Sequence, residues 1–303
     1  MRTTTSSCLT ALAGAVVATL ALAGCSGAAD ATGTDTGTGT GTAADPEIAA
    51  LVPDDIADSG RLRVAMDGAN PPFESLSEED GTTYVGLDPD LAREIGALLG
   101  LEVEFVPTSF DGLIPGLQAG SADMALNSIG DTKEREEVVD FVTYYHNGSV
   151  ALVEAGNPLE LMAASLCGAR VGVLRGSLQQ NSMLPAQAES CAADGEEAPV
   201  EAAFNQTPDS LLALQSGQVD AVLADVPTLV LASEANPGFE MAGPAFKNPN
   251  PGGVALPKGS ELVEAVHAAI SELMANGTYD DLIEEYDLGD IAIEESVVNG
   301  AVS

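Results

Sequence analysis

Basic residues are scarce: 10 lysines and arginines stand against 47 aspartates and glutamates, a formal net charge of −37. Phosphate backbones and anionic headgroups repel such a chain, which excludes nucleic acid as a partner. The acids read as a solvated surface, suited to a saline medium that screens self-repulsion. Histidine is scarcer still. His146 and His267 lie in separate parts of the chain, so neither contributes to a metal cluster or a catalytic triad. No Gly-x-Ser-x-Gly nucleophile elbow occurs. The sequence therefore predicts neither an enzyme nor a resident cofactor.

The apolar run from Leu9 to Ala23 is too short to span a bilayer comfortably. It follows Met1-Arg2 and ends at Leu22-Ala23-Gly24-Cys25, the pattern of a secretory signal peptide over residues 1–24. The tetrapeptide is similar to a bacterial lipobox, with Cys25 as the lipidated first residue of the mature chain; an ordinary secreted protein is the alternative. Residues 25–54 open with Gly, Thr, Ala and Asp and read as a flexible tether above the membrane. Of four cysteines, Cys8 leaves with the signal peptide and Cys25 takes the lipid. Cys167 and Cys191 remain, and an oxidising compartment predicts a disulfide between them rather than two buried thiols.

The folded body carries an internal repeat. Leu117-Gln118-Ala119-Gly120-Ser121-Ala122-Asp123-Met124-Ala125-Leu126 reappears as Leu214-Gln215-Ser216-Gly217-Gln218-Val219-Asp220-Ala221-Val222-Leu223, each a helix end, a Gly stop and a buried strand. Arg170-Val171-Gly172-Val173-Leu174 likewise echoes Arg63-Val64-Ala65-Met66. The spacing predicts two α/β units. One repeat runs into Asn127-Ser128 and a helix start bearing Arg135; the other runs into Asp225. A guanidinium facing a carboxylate across a cleft suits a small zwitterion. Each residue has a plainer reading: Arg135 as a surface charge paired with Glu136 or Asp131, and Asp225 as a helix cap.

Local signals predict further elements. Asp88 reads as an N-cap with Pro89 at N1, Asp131 as an N-cap with Glu134 at N3, and Thr207-Pro208-Asp209 as the start of the helix ending at Gln215. Leu62 to Met66 and Leu101 to Val106 read as strands. Ser260 to Asn276 reads as a helix with Leu262, Val266, Ile270 and Leu273 on its packing face.

The ordered blocks Asp67…Asn70-Pro71-Pro72-Phe73, Val85-Gly86-Leu87-Asp88, Leu113-Ile114-Pro115-Gly116-Leu117-Gln118-Ala119-Gly120, Asp131-Thr132-Lys133-Glu134-Arg135 and Val171-Gly172-Val173…Gly176-Ser177 extend the pattern. Together they resemble the family 3 extracellular solute-binding proteins, the amino-acid receptors of ABC importers, most of all the actinobacterial lipoproteins. The resemblance implies an α/β, two-lobed type II periplasmic-binding-protein fold with two hinge crossovers, near Gly148–Val153 and near Pro251–Leu256. Lobe 1 is then 55–150 plus 250–290, lobe 2 is 151–249, and 291–303 a tail, with Gly252-Gly253 as a hinge element.

By the same resemblance Arg135 takes the ligand carboxylate and Asp225 the ammonium. Asn127, Ser128, Gly130, Ser177 and Leu178 line the site, and Asp67, Asn70 and Phe110 face the ligand side chain. Asn70 departs from the family's stacking aromatic. Asp67 points to a polar or basic ligand unless it caps its own turn. The implied protein is a monomeric, lipid-anchored receptor that captures an amino acid by lobe closure and delivers it to an ABC permease. A sensory ectodomain, a binder of another zwitterion (an opine or an ectoine-like solute), and an enzyme on the same fold are the competing readings.

Overall fold

The structure is a computed structural model and describes residues 42–302; the predicted signal peptide, Cys25 and most of the tether lie outside these residues. Five strands begin the body: β1 (Arg61–Met66), β2 (Ala69–Asn70), β3 (Glu74–Leu76), β4 (Tyr84–Val85) and β5 (Glu102–Pro107). β6 (Met124–Ala125) and β7 (Val139–Tyr145) follow. The second half adds β8 (Gly148–Glu154), β9 (Arg170–Leu174), β10 (Val200–Phe204), β11 (Ala221–Asp225), β12 (Phe239–Met241) and β13 (Phe246–Lys247). β14 (Gly252–Pro257) closes the set.

Two main sheets result. One runs β5-β1-β6-β14-β7 and the other β10-β9-β11-β8-β12, with β13 beside β8; β2-β3-β4 form a small third sheet. In each main sheet the first three strands are parallel and the rest antiparallel. The sequence repeat therefore has a structural counterpart: β1 and β6 match β9 and β11. The repeated Asp has the same task twice. Asp123 takes a two-pronged contact from Arg63 (2.6 and 3.2 Å), and Asp220 takes one from Arg170 (2.6 and 3.0 Å). Each pins the strand to the loop that precedes its neighbour.

β1 shows why the first sheet is covered on both faces. Leu62, Val64 and Met66 enter a core with the helices Leu87–Leu99 and Leu262–Asn276, whereas Ala65 faces Leu113, Leu117 and Phe141. The helical spacing read over 260–276 is thus a packing face, and Leu262, Val266, Ile270 and Leu273 are fully buried. Lobe 2 has its own core around Val150, Leu152, Val171, Val173, Val222 and Leu229.

Several boundaries differ from expectation. β8 lies wholly in the second sheet, so the chain crosses at His146–Asn147, ahead of Gly148–Val153; the return lies over 248–251. Gly252 and Gly253 belong to β14, where a Cβ on the first would overlap the Tyr145 ring and on the second the Val142 carbonyl. Close strand approach requires that pair. The tether ends before residue 54: Asp45 caps a helical turn, Pro46–Ala49, and Ile48 and Val52 enter the lobe 1 core. The C-terminal segment is no free tail either. Thr143 N donates to Val297 O (3.0 Å), Asn299 exchanges bonds with Phe141, and Val302 N donates to Asn250 Oδ1 (2.8 Å).

The cap assignments change for one common reason. Gly86, not Asp88, precedes the helix Leu87–Leu99; its φ is +125° and a Cβ would strike the Phe73 carbonyl. Asp88 is instead buried, accepting from Ser128 N (2.7 Å) and Tyr144 Oη (2.6 Å). Thr132, not Asp131, caps the single turn Lys133–Glu136, while buried Asp131 accepts from Ala301 N (3.1 Å). Long-range donors have claimed the Asp88 and Asp131 side chains. The helix Thr207–Gln215 starts at Thr207 with no side-chain cap. The predicted disulfide is present: Cys167 and Cys191 are joined with Cα atoms 5.7 Å apart, tying the segment before β9 to the helix Leu184–Asp194.

Candidate functional site

Loops leaving the C-terminal ends of β1, β6, β9 and β11 meet between the lobes, the usual ligand position in open α/β sheets. They enclose a cavity of about 30 Å³ lined by Asn70, Phe110, Ser128, Gly130, Arg135, Ser177, Leu178 and Asp225. Eight of the ten residues expected at a site thus share one chamber. Gln179, Thr207, Tyr145 and Asn248 add polar groups to its wall. The sequence marked Thr207 only as a helix start and gave no signal for Tyr145 or Asn248; Gln179 stands directly after Ser177-Leu178.

Arg135 sits one turn after its cap, Thr132. Nη1 donates to Gly130 O (2.6 Å) and Nη2 reaches across to Gly176 O of lobe 2 (2.9 Å); the Phe110 ring lies 6.0 Å from the guanidinium carbon. Burial lowers its pKa, but a guanidinium stays protonated. The plainer reading, a surface ion pair with Glu136 or Asp131, fails: Glu136 pairs with Lys133 (2.7 Å). Asp225 occupies the N-cap position of the helix Val226–Ala235, yet its side chain makes no capping bond. Oδ1 accepts from Gln179 Nε2 (2.9 Å) instead. Burial pushes the Asp225 carboxyl up to about 7, with Gln179 and Arg135 opposing the shift. A cation from lobe 1 and an ionisable acid from lobe 2 therefore address one small chamber, the complement of a zwitterion.

The lobes also touch directly. Thr228 Oγ1 donates to Asn70 Oδ1 (2.9 Å), and Asn70 Nδ2 donates to Ser128 Oγ (2.9 Å). Gln179 Nε2 further donates to Ser149 Oγ (3.0 Å), whose own proton goes to Asn248 Oδ1 (2.9 Å), so a polar chain links Asp225 to the returning crossover. His146 stands at the other crossover, its Nε2 2.8 Å from Asn248 O.

Two expected residues lie off the chamber. Asn127 spends its side chain on the scaffold, accepting from Asp67 N (2.6 Å) and donating to Glu74 Oε1 (2.8 Å). Asp67 lies behind it; burial raises its carboxyl to about 6, and Oδ1 has no partner among the described residues. A second cavity of about 390 Å³ adjoins the chamber through Phe110, Arg135 and Leu178 and is floored by Leu113, Ile114, Ile129 and Val138, with Asp111, Glu134 and Glu137 on its rim. Among the described residues no three His, Cys, Asp or Glu side chains cluster as metal ligands, and no helix is long and apolar enough to cross a membrane.

Residues 62–289 match the bacterial extracellular solute-binding proteins, family 3. The chain belongs to that family. The arginine-binding protein ArgT of Corynebacterium glutamicum is 28% identical over 84% of this chain and 83% of its own length. An L-arginine-binding protein of Pseudomonas aeruginosa is 33% identical over 74% of this chain and 87% of its own. The structure of an ancestral arginine-binding protein bound to arginine superposes with a TM-score of 0.69 at 34% identity, covering 75% of this chain and 98% of that one. This family 3 protein therefore has the type II periplasmic-binding-protein fold and a solute-binding role.

Proposed function

We propose that this family 3 protein captures an α-amino acid with a polar or basic side chain by closing its lobes, and hands it to an ABC permease. It is a receptor, not an enzyme, and is held at the extracytoplasmic face of the membrane by lipid on Cys25 after loss of residues 1–24. The observation that carries this reading is the convergence of Arg135 and Asp225, from opposite lobes, on one chamber. Arg135 would take the α-carboxylate and Asp225 the α-ammonium. The arginine-binding relatives favour L-arginine as the first probe.

The test is calorimetric titration with L-arginine, L-lysine, L-histidine, L-glutamine and L-cystine, with mass spectrometry of the recovered ligand. Binding of one class, returned unchanged, supports the reading. An altered product overturns the receptor assignment, and no heat with any α-amino acid overturns the ligand class.

The Asp225 carboxyl, raised to about 7, sets a pH dependence. Below that pH the free protein holds a proton there, and the ammonium must displace it; above it the carboxylate is ready. Affinity should therefore weaken as pH falls below 7, approaching tenfold per unit. Titrations at pH 5, 6, 7 and 8 measure this. A flat profile in the wild type would remove Asp225 from the ammonium site, and Asp225→Asn should bind weakly at every pH.

A further inference from the structure

Beneath the corner that carries Ser128 lies a cluster that ligand chemistry does not explain. Glu74 and Asp88 are both fully buried and in hydrogen-bonding contact with each other. Asp88 uses both oxygens as an anion does, taking Ser128 N (2.7 Å) and Tyr144 Oη (2.6 Å). Glu74 takes the Asn127 amide on Oε1 (2.8 Å), whereas Oε2 has no donor among the described residues. Two ionised carboxylates would repel strongly here, because among the described residues no cation faces Glu74: the charges around it are Asp88, Asp67 and Asp225, with Tyr144 and Tyr145 beyond. A proton on Glu74, donated to Asp88, relieves that repulsion. Burial, and then the Asp88 charge, raise the Glu74 pKa well above the usual carboxylate range.

The cluster has an evident load. Ser128 has a φ of +43°, a left-handed conformation that a non-glycine residue adopts only under constraint. It is held there by its N–H bond to Asp88, while the preceding Asn127 is held by Glu74. Ser128 Oγ and Gly130 then face the chamber, and Gly130 O steadies Arg135. We propose that Glu74 is a positioning residue: as a neutral carboxyl bonded to the Asp88 carboxylate, it holds the Asn127–Ser128 corner in the conformation that presents Ser128, Gly130 and Arg135 to the ligand. The inference rests on the amino-acid-binding reading for its ligand, but not for its proton.

Glu74→Gln keeps both contacts, since its carbonyl accepts from Asn127 and its amide donates to Asp88; Glu74→Ala keeps neither. The first readout needs no ligand. Above the ordinary carboxylate range the native Glu74 keeps a proton that the unfolded chain has lost, so the wild-type unfolding constant should rise with pH for as long as that proton is held. Asp67, Asp88, Asp131 and Asp225, raised to about 6 or 7, and the buried Tyr144 and Tyr145 add slopes shared by wild type and Glu74→Gln, so the difference between the two profiles isolates Glu74. Glu74→Gln should lose the Glu74 share of the slope; a slope equal to the wild type's overturns the proton assignment. The second readout is L-arginine affinity at pH 7, within about threefold of wild type for Gln and weaker by about tenfold or more for Ala. Equal losses in both variants, or none in Ala, overturn the positioning role. If the wild type binds another amino acid of the panel instead, that ligand replaces L-arginine in this readout; if it binds none, the ligand reading fails alone, and the unfolding slopes still decide whether Glu74 holds the proton.

Discussion

Arg135→Ala should weaken amino-acid binding by about a hundredfold or more. A ligand carboxylate drawn into the closed chamber would lose its charge-assisted donors and be left desolvated, and such losses run to several kcal/mol. The variant also forfeits the Nη2 bond to Gly176 O, one of the contacts between the lobes. Arg135→Lys should recover only part of the affinity, because an ammonium cannot present two parallel donors. Calorimetry with the best probe from the amino-acid panel measures both variants, with circular dichroism as the fold control. Wild-type affinity in Arg135→Ala would mean that the carboxylate is held elsewhere, and the site would have to be rebuilt around Ser128 and Ser177.

Replacing both Cys167 and Cys191 with Ser should cost about 3–4 kcal/mol of stability, the chain-entropy value for a bridge spanning 24 residues. For a protein of this size that lowers Tm by roughly 10 °C. Affinity should suffer less than stability. The bridge fastens the helix Leu184–Asp194, which continues directly from the turn Gln179–Met183 and so helps hold Gln179 against Asp225. Thermal unfolding of the oxidised wild type beside the double variant gives the number. A shift under about 2 °C would show that the unfolded chain gains little freedom when the bridge is absent.

What the sequence disclosed was whatever repeats or alternates locally. The duplicated Leu-Gln and Gly–Asp pattern located equivalent strands in both lobes, and its Asp proved to be an arginine clamp on each side. The same registry brought Arg135 and Asp225 to one chamber. What stayed hidden depends on partners far along the chain. Asp88 and Asp131 carry the local signature of N-caps, but Tyr144 Oη and Ala301 N, 56 and 170 residues away, hold their side chains instead. A short-range rule cannot see a donor that tertiary packing delivers. The resemblance placed Asn127 against the ligand, yet the chain turns a corner at Ser128, whose φ is +43°, and the Asn127 amide is spent on Glu74. The need for glycine at 252 and 253 was equally hidden, since the Tyr145 ring and the Val142 carbonyl that require it lie in another strand.

Both ends of the described chain are stitched to the same lobe: Asp45 N bonds Leu98 O near the start, and the strand-like segment through Val297 and Asn299 lies along β7 near the finish. Lobe 1 is thus the frame, and lobe 2 is a jaw carried on two short spans. A load attached at either end, whether a tether to a bilayer, a purification handle or a surface linkage, bears on the frame and not on the jaw. The lobe closure proposed above would, seen from either end, be displacement of the jaw. A reporter placed on the exposed Leu231 of the jaw, read against one near Asp45, would follow that displacement directly.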